Sequence, residues 1–236
     1  ESVFGVLNGI DIVDYDPEKD PMIVKNYTVD TIEDKVQNKL AIQEALGLEV
    51  NPDIPLIAMV GRLSNQKGLD LVDCVLGDIM NENVQLVVLG MGDARYTNLF
   101  SWAEQQYRGK MAARFAMDHE LAHRLYASAD FFLMPSQFEP CGLAQMVACR
   151  YGTIPVVRET GGLKDSIVDC GDENGFGFTF QSYNADDMYG AICRALGAYA
   201  NKEDWPTLVK RAMEADFSWG RSANEYIRLY RSLLKG

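Results

Sequence analysis

The chain alternates between short apolar runs and longer stretches in which apolar residues recur every three or four positions. The first run, residues 54–60, contains no charged residue, and the helical pattern of residues 67–80 follows it directly. Uncharged runs of this length are typical of strands that are buried on both faces, as in a parallel sheet covered by helices. The pattern therefore predicts an α/β fold.

The same alternation continues towards the end of the chain. It predicts further strands at residues 84–89, 111–117, 131–134, 154–157 and 176–180. It predicts the other helices at residues 31–46, 96–107, 120–129, 143–151, from about 162, and at 186–200, 205–215 and 223–234. We expect a Rossmann-like parallel sheet with helices on both faces.

Three parts of the chain differ in composition. Residues 1–53 are rich in Asp, Pro and Asn, and we interpret them as a segment that leads into the core domain. Residues 54–217 carry the strand–helix alternation and form the predicted Rossmann-like domain, and residues 218–236 form a C-terminal helix. Because the chain starts with Glu1 and not with Met, we expect it to be a piece of a longer protein.

Composition narrows the classes of function. Apolar residues make up 47% of the chain, which is ample for a core, and no apolar run approaches the ~18 residues that a membrane span needs. The net charge of −12 disfavours binding to nucleic acids or to anionic membranes. Any basic residues that bind an anion must therefore be concentrated locally.

Cysteine and histidine spacing does not predict a metal site. None of the cysteines shows the Cys-x-x-Cys spacing of zinc or redox sites. We expect Cys74, Cys149 and Cys193 to be buried, reduced thiols, because they stand at apolar helix positions. His119 and His123 share one face of a predicted helix, but no third ligand stands at a recognisable distance, so we expect both on the helix surface.

A charged loop follows the first apolar run. Arg62 and Lys67 stand between Gly61 and Gly68, where the chain leaves a buried strand and enters a helix. In open α/β sheets, ligands bind at this edge. Arg offers a planar fork of donors and Lys a mobile charge, which together suit a diphosphate. We favour this interpretation over two solvated loop cations.

A second loop follows the strand at residues 131–134. Glu139 can accept hydrogen bonds from sugar hydroxyls, and the amides of Cys141, Gly142 and Leu143, at the start of the next helix, can donate to them. The alternative is that Glu139 only interacts with the helix dipole, and Pro140 fits both interpretations. The two loops together suit a nucleotide sugar.

Two glycine pairs are further candidates. Thr160, Gly161 and Gly162 open a predicted helix after a strand, so their amides are a second candidate for phosphate binding, although glycines there also make ordinary turns. The segment Gly90-Met91-Gly92 suggests a dinucleotide-binding loop, but the third glycine of that motif is missing.

The segment Asp14-Tyr15-Asp16 resembles a metal-binding Asp-x-Asp, and we interpret it as a turn.

These segments together closely resemble the glycogen and starch synthases, retaining glycosyltransferases of the two-domain GT-B fold that use ADP-glucose. The resemblance covers essentially the whole chain. The matching segments are Asn8-Gly9-Ile10-Asp11, Gly61-Arg62-Leu63 with Gln66-Lys67-Gly68, Phe138-Glu139-Pro140-Cys141-Gly142-Leu143 with Gln145, Tyr151-Gly152-Thr153 leading to Thr160-Gly161-Gly162-Leu163, and Phe217-Ser218-Trp219.

The resemblance implies the C-terminal, nucleotide-sugar-binding half of such an enzyme. Arg62 and Lys67, helped by the Gly161-Gly162 helix start, would hold the diphosphate of ADP, and Glu139 with the Cys141 and Gly142 amides would hold the glucose hydroxyls. The α-glucan acceptor would bind between this half and an N-terminal half, to which residues 218–236 would return. No cofactor or metal is expected, and the isolated chain would bind ADP without transferring glucose.

Several alternatives stay open at this point. The chain could be a non-catalytic nucleotide-binding or regulatory module, and a dehydrogenase-type domain would bind NADH. The sequence does not separate ADP-glucose from UDP-glucose, or glycogen from starch as product. The resemblance implies a bacterial cytoplasmic protein, with the plastid stroma as the location in a plant.

Overall fold

A six-stranded parallel sheet forms the centre of the computed structural model, which describes residues 4–234. Residues 1–3 and 235–236, the ends of the predicted leading segment and C-terminal helix, lie outside the described residues. The strand order is β3-β2-β1-β4-β5-β6, and every neighbouring pair is parallel, which confirms the predicted fold. The strands are β1 (Leu56–Val60), β2 (Gln85–Leu89), β3 (Met111–Arg114), β4 (Phe131–Met134), β5 (Ile154–Arg158) and β6 (Phe178–Phe180).

Helices connect the strands and follow the last one. They are α1 (Lys35–Leu46), α2 (Leu69–Asn81), α3 (Ala94–Gln106), α4 (His119–Ser128), α5 (Ala144–Arg150), α6 (Gly161–Ser166), α7 (Ala185–Ala200), α8 (Trp205–Glu214) and α9 (Trp219–Leu233). Short 3₁₀ turns precede α1 at Val29–Asp34 and α2 at Asn65–Lys67. Between residues 4 and 234, none of the helices has both the length and the apolar character of a bilayer-crossing segment.

Two helices start two or more residues later than the sequence pattern predicts. The helix expected from residue 31 begins at Lys35, because Thr28 caps a 3₁₀ turn in which Thr31 has non-helical backbone angles. The helix expected from Lys67 begins at Leu69, because Gly68 adopts a left-handed conformation with φ of 74°. The second difference matters for function, because it places Lys67 in the loop rather than on the helix.

The strands lie in the middle of the core. All residues of β2 and β4 are buried, and Val87, Val88 and Phe132 have no exposed surface. Complete burial explains why these runs show no polar alternation. Each fully buried side chain of this kind contributes about 1.5–3 kcal/mol, so the strands form a rigid base for the loops at their ends.

A buried polar cluster attaches the leading segment to the core. The carboxylate of Asp20 accepts hydrogen bonds from the Tyr151 hydroxyl at 2.6 Å and from Nδ1 of His123 at 2.8 Å. The hydroxyl of Tyr27 donates to the Tyr151 carbonyl at 2.7 Å. His123 has no exposed surface, so the expectation that both histidines lie on the helix surface is wrong for this residue.

Two lysines of α1 reach beneath the amino ends of the central strands. Nζ of Lys39 lies 2.7 Å from a carboxylate oxygen of Asp130, which also accepts the amide of Leu56 at 2.7 Å. Burial lowers the pKa of Lys35 to about 7, and its amine donates to main-chain carbonyls at the end of α4 and to the Thr153 hydroxyl. These contacts join α1 to the sheet, and the division at residue 53 stays a prediction.

The cysteines correct another expectation. All five are free thiols, and Cys149 is buried, which raises the pKa of its thiol well above the usual value. Cys74 and Cys193 are exposed, so the prediction of buried thiols is wrong for both. Their helix positions share a face with exposed residues, such as Asp78 on α2 and Gly197 on α7, and that face points away from the sheet.

Candidate functional site

A cavity of about 540 Å³ opens at the carboxyl ends of β1 and β4. These strands are neighbours at the centre of the sheet, and the strand order runs outwards from them in both directions. This is the switch point at which open α/β sheets bind ligands. The loops that follow the two strands, residues 61–68 and 135–143, form the cavity walls.

The cavity brings together most of the predicted site residues. Its lining includes Arg62, Lys67, Glu139, Gly142 and Leu143. The remaining predicted residues, Cys141, Thr160, Gly161 and Gly162, stand outside this lining. The predicted loops therefore converge on one site, with the glycine pair at its border.

Lys67 and Glu139 touch each other. Nζ of Lys67 lies 2.5 Å from Oε2 of Glu139, and the hydroxyl of Ser136 donates to the same oxygen at 3.1 Å. Only 8% of the Glu139 surface is exposed. Arg62 is exposed and forms no ion pair within residues 4–234, so the two predicted phosphate ligands differ in the partners they hold.

The loop before α5 presents unused backbone donors. The amides of residues 141–144 make no hydrogen bond to any group within the described part of the chain. The side chain of Gln145 supports this loop from behind by donating to the carbonyls of Cys141 and Gly142 at 3.2 and 3.1 Å. Gly142, Leu143 and Ala144 line the cavity, so their amides are available to donate hydrogen bonds to a ligand there.

The glycines at the start of α6 pack against the Glu139 loop. The amide of Gly162 donates to the Glu139 carbonyl at 3.0 Å, so it is already in use. A Cβ atom on Gly162 would overlap the main chain of Cys141. The structure thus gives this glycine a supporting role. Phosphate binding at this helix start stays a prediction, and it falls to amides other than that of Gly162.

Two polar residues of the cavity wall were not among the predicted site residues. Ser136 is almost fully buried and holds Glu139, and Gln66 joins the two loops. The Gln66 carbonyl accepts the amide of Gln137 at 2.8 Å, and its side chain donates to the Phe138 carbonyl at 3.5 Å. Both residues lie in the two loops that the sequence analysis identified. Their position in the chain close to Lys67 and Glu139 was the feature of the sequence that could have indicated them.

Arg158 and Tyr183 support the site from the neighbouring strands. Arg158, at the end of β5, donates to the Gln137 carbonyl at 2.7 Å and stacks on the Tyr183 ring, with 5.4 Å from guanidinium to centroid. The Tyr183 hydroxyl donates to Asp70 at 2.5 Å. Burial and Asp70 raise the pKa of Tyr183 well above its usual value, so this hydroxyl remains a donor. Strand adjacency sets these contacts, and no sequence pattern indicated them.

The Gly90-Met91-Gly92 segment has a packing role. The amide of Leu63 donates to the Met91 carbonyl at 2.9 Å, and the Leu63 carbonyl accepts the amide of Asp93 at 2.7 Å. A Cβ atom on either glycine would overlap the main chain of residues 61–63. The first cavity loop thus lies directly on this segment, which explains the glycines without a dinucleotide.

Comparison with known families gives one broad match. Residues 43–205 match the model of the family described as "Glycosyl transferases group 1". The matched range contains β1 to β6 and both cavity loops.

Curated relatives align along nearly the whole chain. A glycogen synthase of Clostridium perfringens is 52% identical over 98% of this chain and 48% of its own length. A glycogen synthase of Geobacillus thermodenitrificans is 50% identical over 100% of this chain and 49% of its own length. The chain thus spans about half the length of the curated relatives it matches.

Solved structures also align along nearly the whole of this chain. The catalytic domain of starch synthase IV from Arabidopsis thaliana, bound to ADP and acarbose, superposes with a TM-score of 0.89 at 36% identity, covering 98% of this chain and 49% of that one. Anabaena HepE, in complex with UDP and glucose, superposes with a TM-score of 0.66 at 16% identity, covering 96% of this chain and 56% of that one. The second likeness concerns the fold alone.

Proposed function

This chain belongs to the glycosyl transferases of group 1, in which it aligns with glycogen synthases, and from this premise we propose that it is the donor-binding half of a glycogen or starch synthase. The complete enzyme would transfer glucose from ADP-glucose to the non-reducing end of an α-1,4-glucan, with retention of configuration. The isolated chain would bind ADP but lack the other wall of the active site.

The contact between Lys67 and Glu139 carries this proposal. In a nucleotide sugar the terminal phosphate is bonded directly to the anomeric carbon. A cation for that phosphate and a carboxylate for the sugar hydroxyls must therefore lie close together, as Nζ and Oε2 do at 2.5 Å. The Arg62 guanidinium, which forms no ion pair within residues 4–234, and the amides of residues 142–144 belong to the same cavity lining and supply further donors.

The proposed reaction transfers one glucosyl group from the donor phosphate to the acceptor hydroxyl. The bond between C1 of glucose and the phosphate oxygen breaks, C1 bonds to the acceptor hydroxyl oxygen, and the acceptor proton moves to the departing phosphate. Negative charge develops on the leaving oxygen, and Arg62 and Lys67 would stabilise it. Glu139, held by Ser136, would orient the sugar. Attack from the face that the phosphate leaves accounts for retention without a nucleophilic carboxylate.

Calorimetric titration of ADP into this chain tests the donor site. We expect saturable one-to-one binding, tighter for ADP than for UDP, and a loss of about tenfold or more in Arg62→Ala, because a charge-assisted hydrogen bond contributes about 1.5–3 kcal/mol. The adenine preference draws support from the starch synthase neighbour that is bound to ADP.

Arg108→Ala is the matched control for that experiment. Arg108 is exposed too, but it stands in the turn before β3, at the opposite edge of the sheet. Its removal changes the net charge equally and should leave ADP affinity within about twofold. Equal losses in the two variants, or no ADP binding by the folded chain, would argue against the proposed site.

The exposed face of α9 supports the proposal that the last helix contacts another domain. Tyr226, Ile227, Tyr230 and Leu233 are 41–68% exposed, and Ser222 is the helix residue that is buried. The first turn is fixed, because the Ser222 hydroxyl donates to the Leu7 carbonyl at 2.7 Å. We propose that the rest of this face packs against the half that helps to hold the glucan.

Hydrogen exchange of the isolated chain tests the role of α9. Amides from Tyr226 to Leu233 should exchange at least about 100-fold faster than those of α2, whose apolar face is covered by the sheet, because local opening exposes little buried surface there. Protection of the two helices to the same degree would show that α9 needs no partner.

A further inference from the structure

Three potential metal ligands lie together near the start of α4. The two histidines of the helix, His119 and His123, meet Asp14 from the leading segment, and one ligand atom from each lies within 4.8 Å of the others. Asp14 and His119 are exposed, and His123 is buried. The cluster shares no residue with the lining of the donor cavity.

His123 carries the observation that separates this cluster from ordinary surface residues. Its Nδ1 lies 2.8 Å from the Asp20 carboxylate, which makes Nδ1 the protonated nitrogen and leaves a lone pair on Nε2. Nε2 is buried and has no hydrogen-bond partner within residues 4–234. An unpaired buried acceptor has a cost of about 1–3 kcal/mol, so the arrangement calls for a ligand.

We propose that Asp14, His119 and His123 bind a divalent transition-metal ion, for which Zn²⁺ is the best fit. Two imidazoles and one carboxylate are ligands that zinc prefers, whereas Mg²⁺ and Ca²⁺ require oxygen donors. The Asp20 carboxylate behind His123 supplies the outer partner that metal-bound histidines typically have, and it fixes the orientation of the ring.

The surrounding groups place the ligands for this role. The side chain of Asp11 accepts the amides of Val13 and Asp14 at 2.9 and 3.1 Å, so the turn predicted around Asp14 is confirmed and held in shape. The Tyr15 ring stacks on His123 at 4.9 Å between centroids. A tetrahedral ion about 2.1 Å from each ligand places the donor atoms about 3.4 Å apart. The ligand atoms lie within 4.8 Å of one another, so the exposed side chains of His119 and Asp14 must move inward by up to about 1.4 Å.

The sequence did not indicate this site because its third ligand is remote. The two histidines have the i, i+4 spacing of a helical metal site, but Asp14 stands far earlier in the chain, in a segment without periodic pattern. Folding joins them, because Asp20 attaches that segment to His123. Bound metal would therefore add a further connection between the leading segment and α4, close to the surface.

Titration of this chain with Zn²⁺, followed by calorimetry, and with Co²⁺, followed by its visible absorption, tests the proposal. We expect one equivalent to bind with Kd of about 10 µM or tighter and to raise the melting temperature. His119→Ala should weaken binding at least about tenfold and abolish the stabilisation, and Asp14→Asn should weaken it severalfold. Both changes are on the surface and leave the Asp20–His123 pair intact.

Asp172→Asn is the matched control for Asp14→Asn, because Asp172 is exposed and its side chain makes no hydrogen bond within the described residues. It should bind metal like the unaltered chain. Metal affinity that is unchanged in His119→Ala, a Co²⁺ spectrum with the intense band of thiolate ligands, or a Kd weaker than about 10 µM would each overturn the proposal.

Discussion

Replacing Lys67 by methionine in a complete synthase that contains this chain is expected to lower kcat by about 10²- to 10³-fold, the loss typical of one preorganised donor to developing negative charge. Nζ of Lys67 is held at the junction of the two cavity loops, where the leaving phosphate is proposed to stand. Methionine preserves most of the side-chain volume, so the loss concerns the charge. The measurement is initial rate at saturating ADP-glucose and glucan.

A double variant separates catalysis from stability at this position. Lys67→Met leaves the nearly buried Glu139 carboxylate with Ser136 as its side-chain partner, and the free energy of unfolding should fall by about 1–3 kcal/mol. Adding Glu139→Gln removes the unpaired charge and should recover much of that loss while kcat stays low. If kcat of Lys67→Met stays within threefold of the unaltered enzyme, the assignment of Lys67 fails.

Gly162→Ala is expected to lower the free energy of unfolding by about 1–3 kcal/mol and to weaken ADP binding together with it. The new methyl group would occupy the space of the Cys141 main chain, so residues 139–143 must move. That movement breaks the hydrogen bond from the Gly162 amide to the Glu139 carbonyl and displaces the donors of the loop. Urea unfolding and ADP titration of the same variant measure both effects.

Gly190→Ala is the control that separates crowding from helix propensity. Gly190 lies within α7, where an added Cβ meets nothing within 4 Å, so alanine should stabilise the chain by about 0.5–1 kcal/mol. We therefore expect Gly162→Ala to lower the free energy of unfolding and Gly190→Ala to raise it. A Gly162→Ala chain as stable as the unaltered one would mean that the two loops approach less closely than described.

The fold was predictable because each strand of the sheet is buried on both faces. Uncharged runs such as residues 54–60 and 131–134 have no other stable place in a chain of this composition, and the intervening helical patterns supply the cover. Helix starts were less predictable, because they depend on local conformations such as the left-handed Gly68. Apolar periodicity carries no information about such residues.

The charged residues that line the cavity were predictable from the sequence, but the pairing between them was not. Position after a strand identified Arg62, Lys67 and Glu139, because ligands bind at that edge of such sheets. The ion pair between Lys67 and Glu139 depends on β1 and β4 being neighbours, which the order of elements along the chain does not state. The use of the Gly162 amide by the Glu139 carbonyl has the same origin.

The buried histidine was unpredictable for a different reason. The face of α4 that carries His123 is covered by residues of the leading segment, among them Asp20 and Tyr15. The part of that segment that precedes its helix has neither helical nor strand periodicity, so nothing in its sequence shows where it packs. The exposed cysteines show the opposite error, because residues expected to be buried are exposed. Cys74 lies on the outer face of α2, whose other face is buried.

The pairing of Lys67 with Glu139 has a consequence for how an anion reaches the cavity. Beyond the Debye length of about 8–10 Å, the opposite charges of Lys67 and Glu139 cancel each other. Among the predicted site residues, Arg62 is then the cation that has no ion-pair partner within residues 4–234. The chain as a whole has a net charge of −12. The summed field therefore gives little guidance to an approaching nucleotide and repels it over most of the surface. For the proposed nucleotide-sugar donor, capture would therefore depend on short-range collision with the correct orientation. Lys67 would exchange Glu139 for the phosphate only after contact, and discrimination among anions would take place at that step.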